Sequence, residues 1–372
     1  MTAIDTTALK HNFAAVGASG DEVAMFFYSY LFLKYPQTRE MFPPAMTRQR
    51  DRLLTALGRI VSDVDNVDQL VPYLSDLGRD HRKFGALAGH YPAVGDALLA
   101  TLQHFSGPAW TDRLAADWAA AYGIVSAAMI DAADRSAAVQ PPYWDAEIVE
   151  VDHRTFDITV LRVRTDRPVP YAAGQSLSVE HVDVRPREWR LYTPANAPGG
   201  NEIELHVRLI SGGAVSGSLV LAAAPGQRIR LGAPFGRLVV DPTAEQPLLL
   251  VAGGTGLAPM RAIIDELAGS GRRRPTHLYF GVRTAREAYD ATVLAFLERE
   301  HDWLSVVTVV SDDARWAGRS GVVGRAVTAD GDWSTAEVLV CGSAPMVEAT
   351  VKLLVEAGVP DRQITFEEFG EG

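Results

Sequence analysis

The spacing of hydrophobic residues changes twice along the chain, and each pattern predicts a different kind of structure. Up to residue 137, apolar side chains recur every three or four positions, as Val23, Phe27 and Leu31 do, which predicts amphipathic helices. Thr6 and Thr7 are expected to cap the first of these helices. The later helices are predicted over residues 22–35, 48–61, 72–84, 92–105 and 111–139, with Pro72 at the start of its helix.

From residue 143 onward the apolar residues alternate with polar ones, which is the pattern of half-buried strands. Pro141 and Pro142 precede this change and mark a linker, because proline ends helices. The strands are predicted over residues 147–151, 158–163, 176–180, 202–208 and 228–231. Short strands separated by turn residues favour a small antiparallel barrel, ending near Asp241.

The last part of the chain, from residue 246, combines largely apolar strands with helical stretches. Such strands are typical of a parallel sheet that is covered on both faces. The strands are predicted over residues 248–252, 277–281, 304–310 and 337–341, and the helices over 258–270, 284–300 and 345–357. The chain is therefore predicted to be multidomain, with an all-α domain over 1–137, an antiparallel β-barrel over 143–241 and an α/β parallel-sheet nucleotide-binding domain over 246–372.

Composition narrows the possible partners and the compartment. The net charge of −11 argues against nucleic acid or an anionic membrane as the main partner. No apolar run reaches the roughly 18–20 residues that would span a bilayer, and the first twelve residues lack the apolar core of a signal peptide. Cys341 is the one cysteine of the chain, so internal disulfides and cysteine-rich metal sites are excluded. A cytoplasmic protein is expected.

The segment at the end of the barrel strands carries residues suited to a flavin. Arg190 offers a fork of donors for a pyrophosphate, Tyr192 a ring that can stack on an isoalloxazine, and Thr193 a small donor. Downstream, the glycine-rich turn over 212–217 has backbone amides, and with Ser216 it could hold the flavin pyrophosphate. A plain hairpin turn is the alternative for this second segment.

Two turns of the α/β part are suited to a second nucleotide. Gly253, Gly254 and Gly256 follow a strand and open a helix, where bare backbone and helix amides can approach a phosphate. The spacing differs from the common dinucleotide fingerprint and from the phosphate loop of nucleotide triphosphatases. A second turn, Cys341 to Met346, lies at the same carboxyl edge of the predicted sheet, where ligands bind in open α/β folds. Purely structural turns remain the alternative.

Taken in order, these motifs resemble the ferredoxin–NADP reductase superfamily, and the likeness covers about 230 residues. The resemblance implies FAD and a nicotinamide nucleotide as cofactors. It places Arg190, Tyr192, Thr193 and Ser216 against FAD, with Phe369 near the flavin ring and Glu367 at an acidic position close to it. It also assigns a group of residues to the nicotinamide nucleotide, namely Gly254, Thr255, Gly256, Cys341, Gly342 and Met346.

The helical part resembles the globin domain of flavohaemoglobins, whose chains continue with the same two reductase domains. His81, late in a predicted helix, then matches the proximal ligand of haem iron. Phe42 matches the phenylalanine that stacks on haem, and Tyr28 and Gln49 match the distal tyrosine and glutamine. Tyr91 matches the tyrosine that supports the proximal histidine.

This resemblance implies a nitric oxide dioxygenase in which electrons pass from NAD(P)H to FAD and then to haem b, and O2-bound haem converts NO to nitrate. The partners are then the small molecules O2, NO and NAD(P)H, and a monomer or weak oligomer is expected. The first alternative is a haem–flavin oxidoreductase with another substrate. A gas or redox sensor and an NAD(P)H-dependent flavin reductase with a non-haem helical module are further alternatives.

Two questions stay open in the sequence. The family has a glutamate on the last globin helix beside the proximal histidine, whereas this chain has Ala133, and Asp134 should face elsewhere on that helix. Loss of such a supporting group typically costs about 10–100-fold in activity or metal affinity. Arg283, Arg315 or Arg319 could receive the 2′-phosphate of NADPH, but each could equally be a solvated surface residue. NADH is weakly favoured by the family resemblance.

Overall fold

The structure, a computed structural model, describes residues 4–241, 243–271 and 273–370. The outermost residues of the predicted first and third domains lie outside these ranges. Contacts between residues divide the chain into two compact units, Met1–Tyr143 and Trp144–Gly372. Both predicted sheets lie in the second unit, and the predicted division at residues 241–246 stays a prediction. Within the described residues, no helix has the length and apolarity that crossing a bilayer requires.

The first unit is helical, as the hydrophobic period predicts. Its helices are α1 (Thr6–Gly17), α2 (Asp21–Lys34), α3 (Thr47–Ser62), α4 (Val67–His81), α5 (Tyr91–Ser106) and α6 (Asp112–Ala137), with 3-10 turns at Pro36–Met41, Arg82–Phe84, Ala88–His90 and Gly107–Ala109. The expected caps Thr6 and Thr7 are wrong, because the carboxylate of Asp5 accepts the Ala8 amide at 2.9 Å. Both residue types cap helices well, so the residue type alone could not decide between neighbours.

The start predicted for α4 is also wrong. The helix begins at Val67, and Pro72 lies inside it rather than at its first residue. Proline has no backbone N–H, so it removes one hydrogen bond from the helix. Burial of Leu70 and Leu74, one on each side of the proline, holds the helix together across this position. Tertiary packing has overridden a local signal.

Helices α4 and α6 approach each other with their backbones in contact. A Cβ atom added at Gly78 would lie 2.3 Å from the carbonyl oxygen of Met129, so only glycine fits there. Buried apolar side chains surround this crossing, and a second cluster around Leu31, Leu102 and Trp118 fills the other side of the unit. The crossing is one helical turn from the carboxyl end of α4, where His81 lies.

The second unit begins with a six-stranded antiparallel sheet. Its strands are β1 (Trp144–His153), β2 (Ile158–Thr165), β3 (Ser176–His181), β4 (Trp189–Tyr192), β5 (Glu202–Arg208) and β6 (Arg228–Phe235), in the order β4-β3-β6-β1-β2-β5. An antiparallel bridge between Pro194 and Leu205 brings the two outer strands together, so the sheet closes into the predicted barrel. A helix that was not predicted, α7 (Ala214–Leu221), lies between β5 and β6.

The chain then forms a parallel sheet with helices between the strands, as predicted, although the sheet has six strands rather than the four predicted. The elements are β7 (Leu248–Gly253), α8 (Leu257–Ser270), β8 (Thr276–Val282), α9 (Ala291–Glu300), β9 (Leu304–Val310), β10 (Arg319–Ser320), α10 (Val323–Asp330), β11 (Glu337–Ser343), α11 (Ala344–Glu356) and β12 (Ile364–Phe369). The strand order is β10-β9-β8-β7-β11-β12. Because β7 and β11 are neighbours, the turns that follow them lie side by side.

The single helix predicted over residues 284–300 is wrong. A 3-10 turn, Ala285–Glu287, is followed by a short break that includes a turn and then by α9, which starts at Ala291. The break contains Asp290, which is 1% exposed and forms ion pairs with Arg154, at 2.9 Å, and with Arg261. Arg154 follows β1 of the barrel and Arg261 belongs to α8, so this carboxylate joins the barrel to the parallel sheet.

A second buried carboxylate reinforces the same junction. Glu204, on β5, accepts a hydrogen bond from His206 at 3.0 Å, and the other ring nitrogen of His206 contacts the Tyr289 hydroxyl at 2.8 Å. Burial alone would raise the pKa of Glu204, but the bond from His206 and the charge of Arg261 outweigh burial and lower the pKa to about 2. Its stabilising charge is therefore complete above the ordinary carboxyl pKa and is lost only in strong acid.

We expect Asp290→Asn to lower the free energy of unfolding by about 3 kcal/mol, because two half-buried arginines would lose their shared, buried negative partner. The amide keeps one acceptor oxygen, so the loss should fall at the lower end of what breaking a buried pair costs. Chemical denaturation of the full chain, followed by tryptophan fluorescence, measures the change. Asp302→Asn is the matched control, since Asp302 pairs with Arg273 at the surface and is 82% exposed. Equal stability of the two variants would contradict the assignment.

Candidate functional site

The residues predicted to line a gas-binding pocket are brought together in the helical unit. Tyr28, on α2, is 5% exposed, and its ring packs edge-on against Phe42 with centroids 5.4 Å apart. The side-chain amide of Gln49, on α3, donates a hydrogen bond of 3.1 Å to the Tyr28 hydroxyl oxygen. The Tyr28 proton has a weaker acceptor, the backbone carbonyl of Gln49 at 3.4 Å. A better acceptor near Tyr28 could therefore receive this hydrogen bond in place of the Gln49 carbonyl.

The protonation state of Tyr28 suits a hydrogen-bond donor. Burial raises the pKa of Tyr28 to about 12, although the bond from Gln49 opposes the shift. The phenol is therefore neutral at physiological pH and carries a proton that can be donated.

His81 lies at the last position of α4 with one ring nitrogen occupied. Its Nδ1 is 2.7 Å from the Leu77 carbonyl oxygen, and since a carbonyl only accepts, Nδ1 carries the proton. The lone pair is then on Nε2, which is the form of imidazole that binds a metal ion. Burial lowers the pKa of His81, against the hydrogen bond to Leu77, and this favours the neutral ring. The residue fits the proximal ligand of haem.

Tyr91 and Ala133 occupy the two other positions that the family resemblance places beside His81. Tyr91 begins α5, and its carbonyl accepts a hydrogen bond of 2.6 Å from the Tyr122 hydroxyl. Within the described parts of the chain, Tyr91 and His81 share no hydrogen bond, so the supporting role of Tyr91 stays a prediction. Asp134 is exposed, which excludes it as a buried carboxylate in place of the family glutamate at Ala133.

The predicted flavin residues lie at the end of β4, where a chain of hydrogen bonds crosses from the barrel to the parallel sheet. The hydroxyls of Thr193 and Ser176 are 2.8 Å apart, and Ser176 donates to the Glu367 carboxylate at 3.0 Å. Burial raises the pKa of Glu367, although the bond from Ser176 opposes the shift. Ser176 was not predicted, because it is 191 residues away from Glu367 in sequence and only the fold brings the pair together.

Arg190 and Tyr192 precede Thr193 on the same strand. The Arg190 guanidinium donates to the Trp189 carbonyl at 2.7 Å and is partly buried. Burial raises the pKa of Tyr192 and keeps its hydroxyl protonated. Phe369 ends β12, pairs in register with Ser343 and packs against the apolar core of the parallel sheet. Their contacts with a flavin stay predictions.

The plain hairpin turn considered for the glycine-rich segment over 212–217 is wrong. The segment is the start of a helix, not a hairpin turn, and Ser216 lies in the first turn of that helix. The Ser216 hydroxyl accepts the Ile210 amide at 3.2 Å and contacts the Gly213 carbonyl at 3.3 Å. It thus holds the turn in shape, and its predicted bond to a flavin pyrophosphate remains untested.

The two turns predicted to bind the nicotinamide nucleotide pack directly on each other. A Cβ atom at Gly256 would lie 2.2 Å from the Cys341 carbonyl oxygen, and one at Gly342 would lie 2.3 Å from the Met346 methyl group. The same methyl would be 2.5 Å from a Cβ at Gly253. The backbones of Gly256 and Gly342 are therefore buried where the two turns pack, while Gly253, Gly254 and Thr255 are partly exposed at the edge of the sheet, where a phosphate or a planar ring can approach. Burial, and then the nearby Glu367 charge, raise the pKa of Cys341 and keep its thiol protonated.

Sequence reasoning missed a cation beside this pair of turns. Gly254 has a φ of +54°, and its Cβ position lies 3.1 Å from the guanidinium of Arg208. Arg208 pairs with Asp157 at 3.3 Å and with Glu287 at 3.7 Å, both long contacts. The nitrogens of these two contacts, Nε and Nη2, are buried and form no hydrogen bond with the described residues, whereas Nη1 is the nitrogen that lies beside Gly254. Its place as the last residue of β5, before a glycine turn, was the signal that could have identified it. Thr255 lies in the 3-10 turn between the two glycines.

The arginines considered for a 2′-phosphate are largely engaged with carboxylates. Arg283 pairs with Glu287 at 3.4 Å, and Arg319 pairs with Asp330 at 2.5 Å. Arg315 is exposed. The choice between NADH and NADPH therefore stays open.

Comparison with known proteins gives three family matches along the chain. The globin family model matches residues 25–129, the oxidoreductase FAD-binding domain matches residues 145–240, and the oxidoreductase NAD-binding domain matches residues 250–352. Their order is the order predicted from the motifs.

Individual relatives cover different shares of the chain. A flavohemoprotein of Bacillus subtilis (strain 168) is 24% identical and matches 97% of this chain and 96% of its own length. The reductase component DmpP of phenol 2-monooxygenase from Pseudomonas sp. (strain CF600) is 32% identical over 56% of this chain, which spans 60% of that relative. A crystal structure of a flavohemoglobin from Malassezia yamatoensis, with bound FAD and heme, aligns over 98% of both chains with a TM-score of 0.80 and 19% identity.

We expect Gly256→Ala to weaken NADH binding, because the added methyl would push the two turns apart at the Cys341 carbonyl. Such overpacking typically costs about 1–3 kcal/mol. If NADH binds only when the two turns are in their original positions, this cost lowers the affinity for NADH roughly 5–150-fold. Titration of the full chain with NADH, followed by nucleotide fluorescence, measures the change. Gly269→Ala is the control, since nothing lies within 4 Å of its Cβ position on α8. Equal affinities of the two variants would rule out this placement of the nucleotide.

Proposed function

Because the chain belongs to the flavohaemoglobin family, as a globin followed by FAD- and NAD-binding oxidoreductase domains, we propose that it oxidises nitric oxide to nitrate with O2 and NAD(P)H. The protein is an oxidoreductase whose cofactors are haem, FAD and a nicotinamide nucleotide. The reaction balances when one NAD(P)H supplies two electrons for two NO and two O2, giving two nitrates, oxidised nucleotide and one proton. The observation that carries the proposal is the buried Tyr28 phenol, held by Gln49 with its own proton weakly engaged.

Each helical residue has a separate part in this proposal. When bound, haem supplies the iron that holds a diatomic gas, and FAD divides the hydride pair into single electrons. His81 offers the Nε2 lone pair to the iron while Leu77 fixes the orientation of its ring. Tyr28 donates its proton toward a gas ligand that gains negative charge, and the amide of Gln49 keeps the phenol oxygen in place.

The barrel residues position the flavin and handle its protons. Arg190 provides charge for the pyrophosphate, and Tyr192 packs its ring against the flavin. Thr193 is linked through Ser176 to Glu367, and burial raises the pKa of this carboxyl above its ordinary value. Such a group can hold a proton at the carboxyl oxygen and exchange it through the Ser176 hydroxyl.

The nucleotide residues bring the hydride donor to the flavin. The bare turns at Gly254–Gly256 and at Gly342 admit the dinucleotide, with Thr255 and Met346 against it, and Arg208 offers charge to its pyrophosphate. Phe369 shields the flavin face at the end of β12.

A second candidate function is a haem–flavin oxidoreductase with another substrate. Ala133 favours it, because the supporting carboxylate that the family resemblance places beside the proximal histidine is missing at this position. Without it the imidazole is a weaker electron donor to iron. Slow turnover of NO beside fast reduction of a different acceptor would select this function. Haem is one of the cofactors of the protein, which excludes a reductase with a non-haem helical module.

Three expectations accompany the proposal. A cytoplasmic location agrees with the single cysteine, Cys341, which is buried. The partners are expected to be O2, NO and the nicotinamide nucleotide. A monomer or a weak oligomer is expected.

We expect His81→Ala to abolish NADH-driven consumption of NO, because the protein would lose its ligand to haem iron. NADH-driven reduction of ferricyanide should persist, since FAD and the nucleotide bind in the second unit. An NO electrode and ferricyanide absorbance measure the two activities on the same preparation. His104→Ala is the matched control, because His104 is an exposed histidine on α5 that stacks on Phe26. Undiminished NO consumption by the His81 variant would refute the scheme.

We expect Tyr28→Phe to weaken O2 binding roughly 10–150-fold, since a hydrogen bond to a charged acceptor contributes about 1.5–3 kcal/mol. CO, which gains little charge, should bind with nearly the same affinity. Flash photolysis with each gas measures both affinities on the reduced full chain. Tyr30→Phe is the control, because the Tyr30 hydroxyl contacts Lys34 rather than Gln49. An equal loss for the two gases would show that Tyr28 acts by packing alone.

A further inference from the structure

Arg82, the residue directly after His81, reaches across to the end of the last helix of the unit. Its guanidinium donates to the Ser136 hydroxyl at 2.7 Å and to the Gln140 carbonyl at 2.9 Å, with a longer contact to the Pro141 carbonyl at 3.4 Å. Ser136 is 5% exposed and lies in the last turn of α6. One planar cation therefore holds the carboxyl end of α6 and the beginning of the linker.

The acceptors of Arg82 are themselves organised into a small network. The side-chain amide of Gln140 donates to the Ser136 hydroxyl at 3.0 Å, and its backbone amide donates to the Ser136 carbonyl at 3.0 Å. These bonds fold residues 136–140 back on the helix end. The Gln140 and Pro141 carbonyls consequently point toward the guanidinium, which can satisfy several acceptors in one plane.

Arg82 acts together with the backbone contact at Gly78. Three residues before His81, Gly78 fixes the distance between α4 and α6, because no Cβ fits against Met129. One residue after His81, Arg82 ties the same two helices by hydrogen bonds. The turn that carries His81 is thus held against α6 on both sides, by close packing at Gly78 and by charge-assisted hydrogen bonds from Arg82.

We propose that Arg82 is a positioning residue that fixes the orientation of His81, in place of a carboxylate beside that histidine on α6. The proposal rests on the role of His81 as the haem ligand in the proposed function. Ala133 has no group that can accept a hydrogen bond, and the carboxylates of Asp131 and Asp134 on α6 are exposed. Arg82 supplies the tie between the two helices through the backbone and a hydroxyl instead.

The test uses the full-length protein with Arg82→Ala, Arg82→Lys and Ser136→Ala. Arg135→Ala is the matched control, since Arg135 lies next to Ser136 on α6 but pairs with Asp131 at the exposed surface. Haem transfer to excess apomyoglobin gives the rate of haem loss. Hydrogen exchange of the amides over 136–143 reports on the helix end, and the iron–histidine stretching band of the reduced protein reports on the orientation of the His81 ring.

We expect Arg82→Ala to speed haem loss by about 10–100-fold, as removal of a supporting group commonly does. Exchange over 136–143 should also become faster, and the iron–histidine band should shift or broaden, a change that lower global stability would not cause in folded protein. Arg82→Lys should restore part of the effect, because an ammonium can satisfy only some of the same acceptors. The Arg135 control should match the wild type in all three measurements.

Unchanged haem loss with an unchanged band in folded Arg82→Ala would overturn the proposal. If that variant does not fold, Arg82→Lys and Ser136→Ala decide, since each keeps most of the network, and wild-type behaviour of both would overturn it as well. Failure of the proposed function is distinguishable. A wild-type protein that consumes no NO but binds haem through His81 refutes the dioxygenase reaction and leaves the test of Arg82 intact.

Discussion

The structure depends on places where two backbones meet with no side chain between them. At Gly78 the contact sets the distance between α4 and α6, and with it the position of His81. At Gly256 the same kind of contact sets the distance between the turns after β7 and β11. The first contact holds His81, the proposed haem ligand, in register with a neighbouring helix. The second leaves bare amides at a sheet edge where a phosphate can approach.

Charged groups set the arrangement of the barrel relative to the parallel sheet. The barrel and the parallel sheet meet at buried carboxylates, and Asp290 and Glu204 each face more than one cationic or donating partner. A buried carboxylate without such partners would cost several kcal/mol, so the two parts are stable only in the arrangement that satisfies these groups. The hydrogen bond from Ser176 to Glu367 crosses between the same two parts. The relation between flavin and nucleotide residues is therefore set by electrostatics as well as by packing.

Hydrophobic periodicity was enough to predict the helical unit, the barrel and the parallel sheet, because each period reflects which face of an element is buried. It failed where a distant partner decided the outcome. Asp290 breaks the helix predicted over 284–300, because Arg154 and Arg261 lie too far away in sequence to be seen as its partners. Pro72 did not start its helix, since burial on both sides outweighed a local preference. The order of the motifs was enough to propose most of the candidate site residues. Ser176 and Arg208 were missed because their neighbours Glu367 and Gly254 come close only in the fold.

The absence of a carboxylate at Ala133 and the presence of Arg82 both bear on how His81 is held in place. A haem ligand on a helix end must be held against rotation, and any neighbouring element with a suitable polar group can do this. A carboxylate on α6 would both orient the imidazole and increase its basicity. Arg82 can only orient it, since its charge is directed at the Ser136 hydroxyl and backbone carbonyls rather than at the ring. If His81 binds haem as proposed, orientation and electron donation would thus be separated in this chain, and the histidine would be well placed while the iron would receive less electron density than a carboxylate would provide.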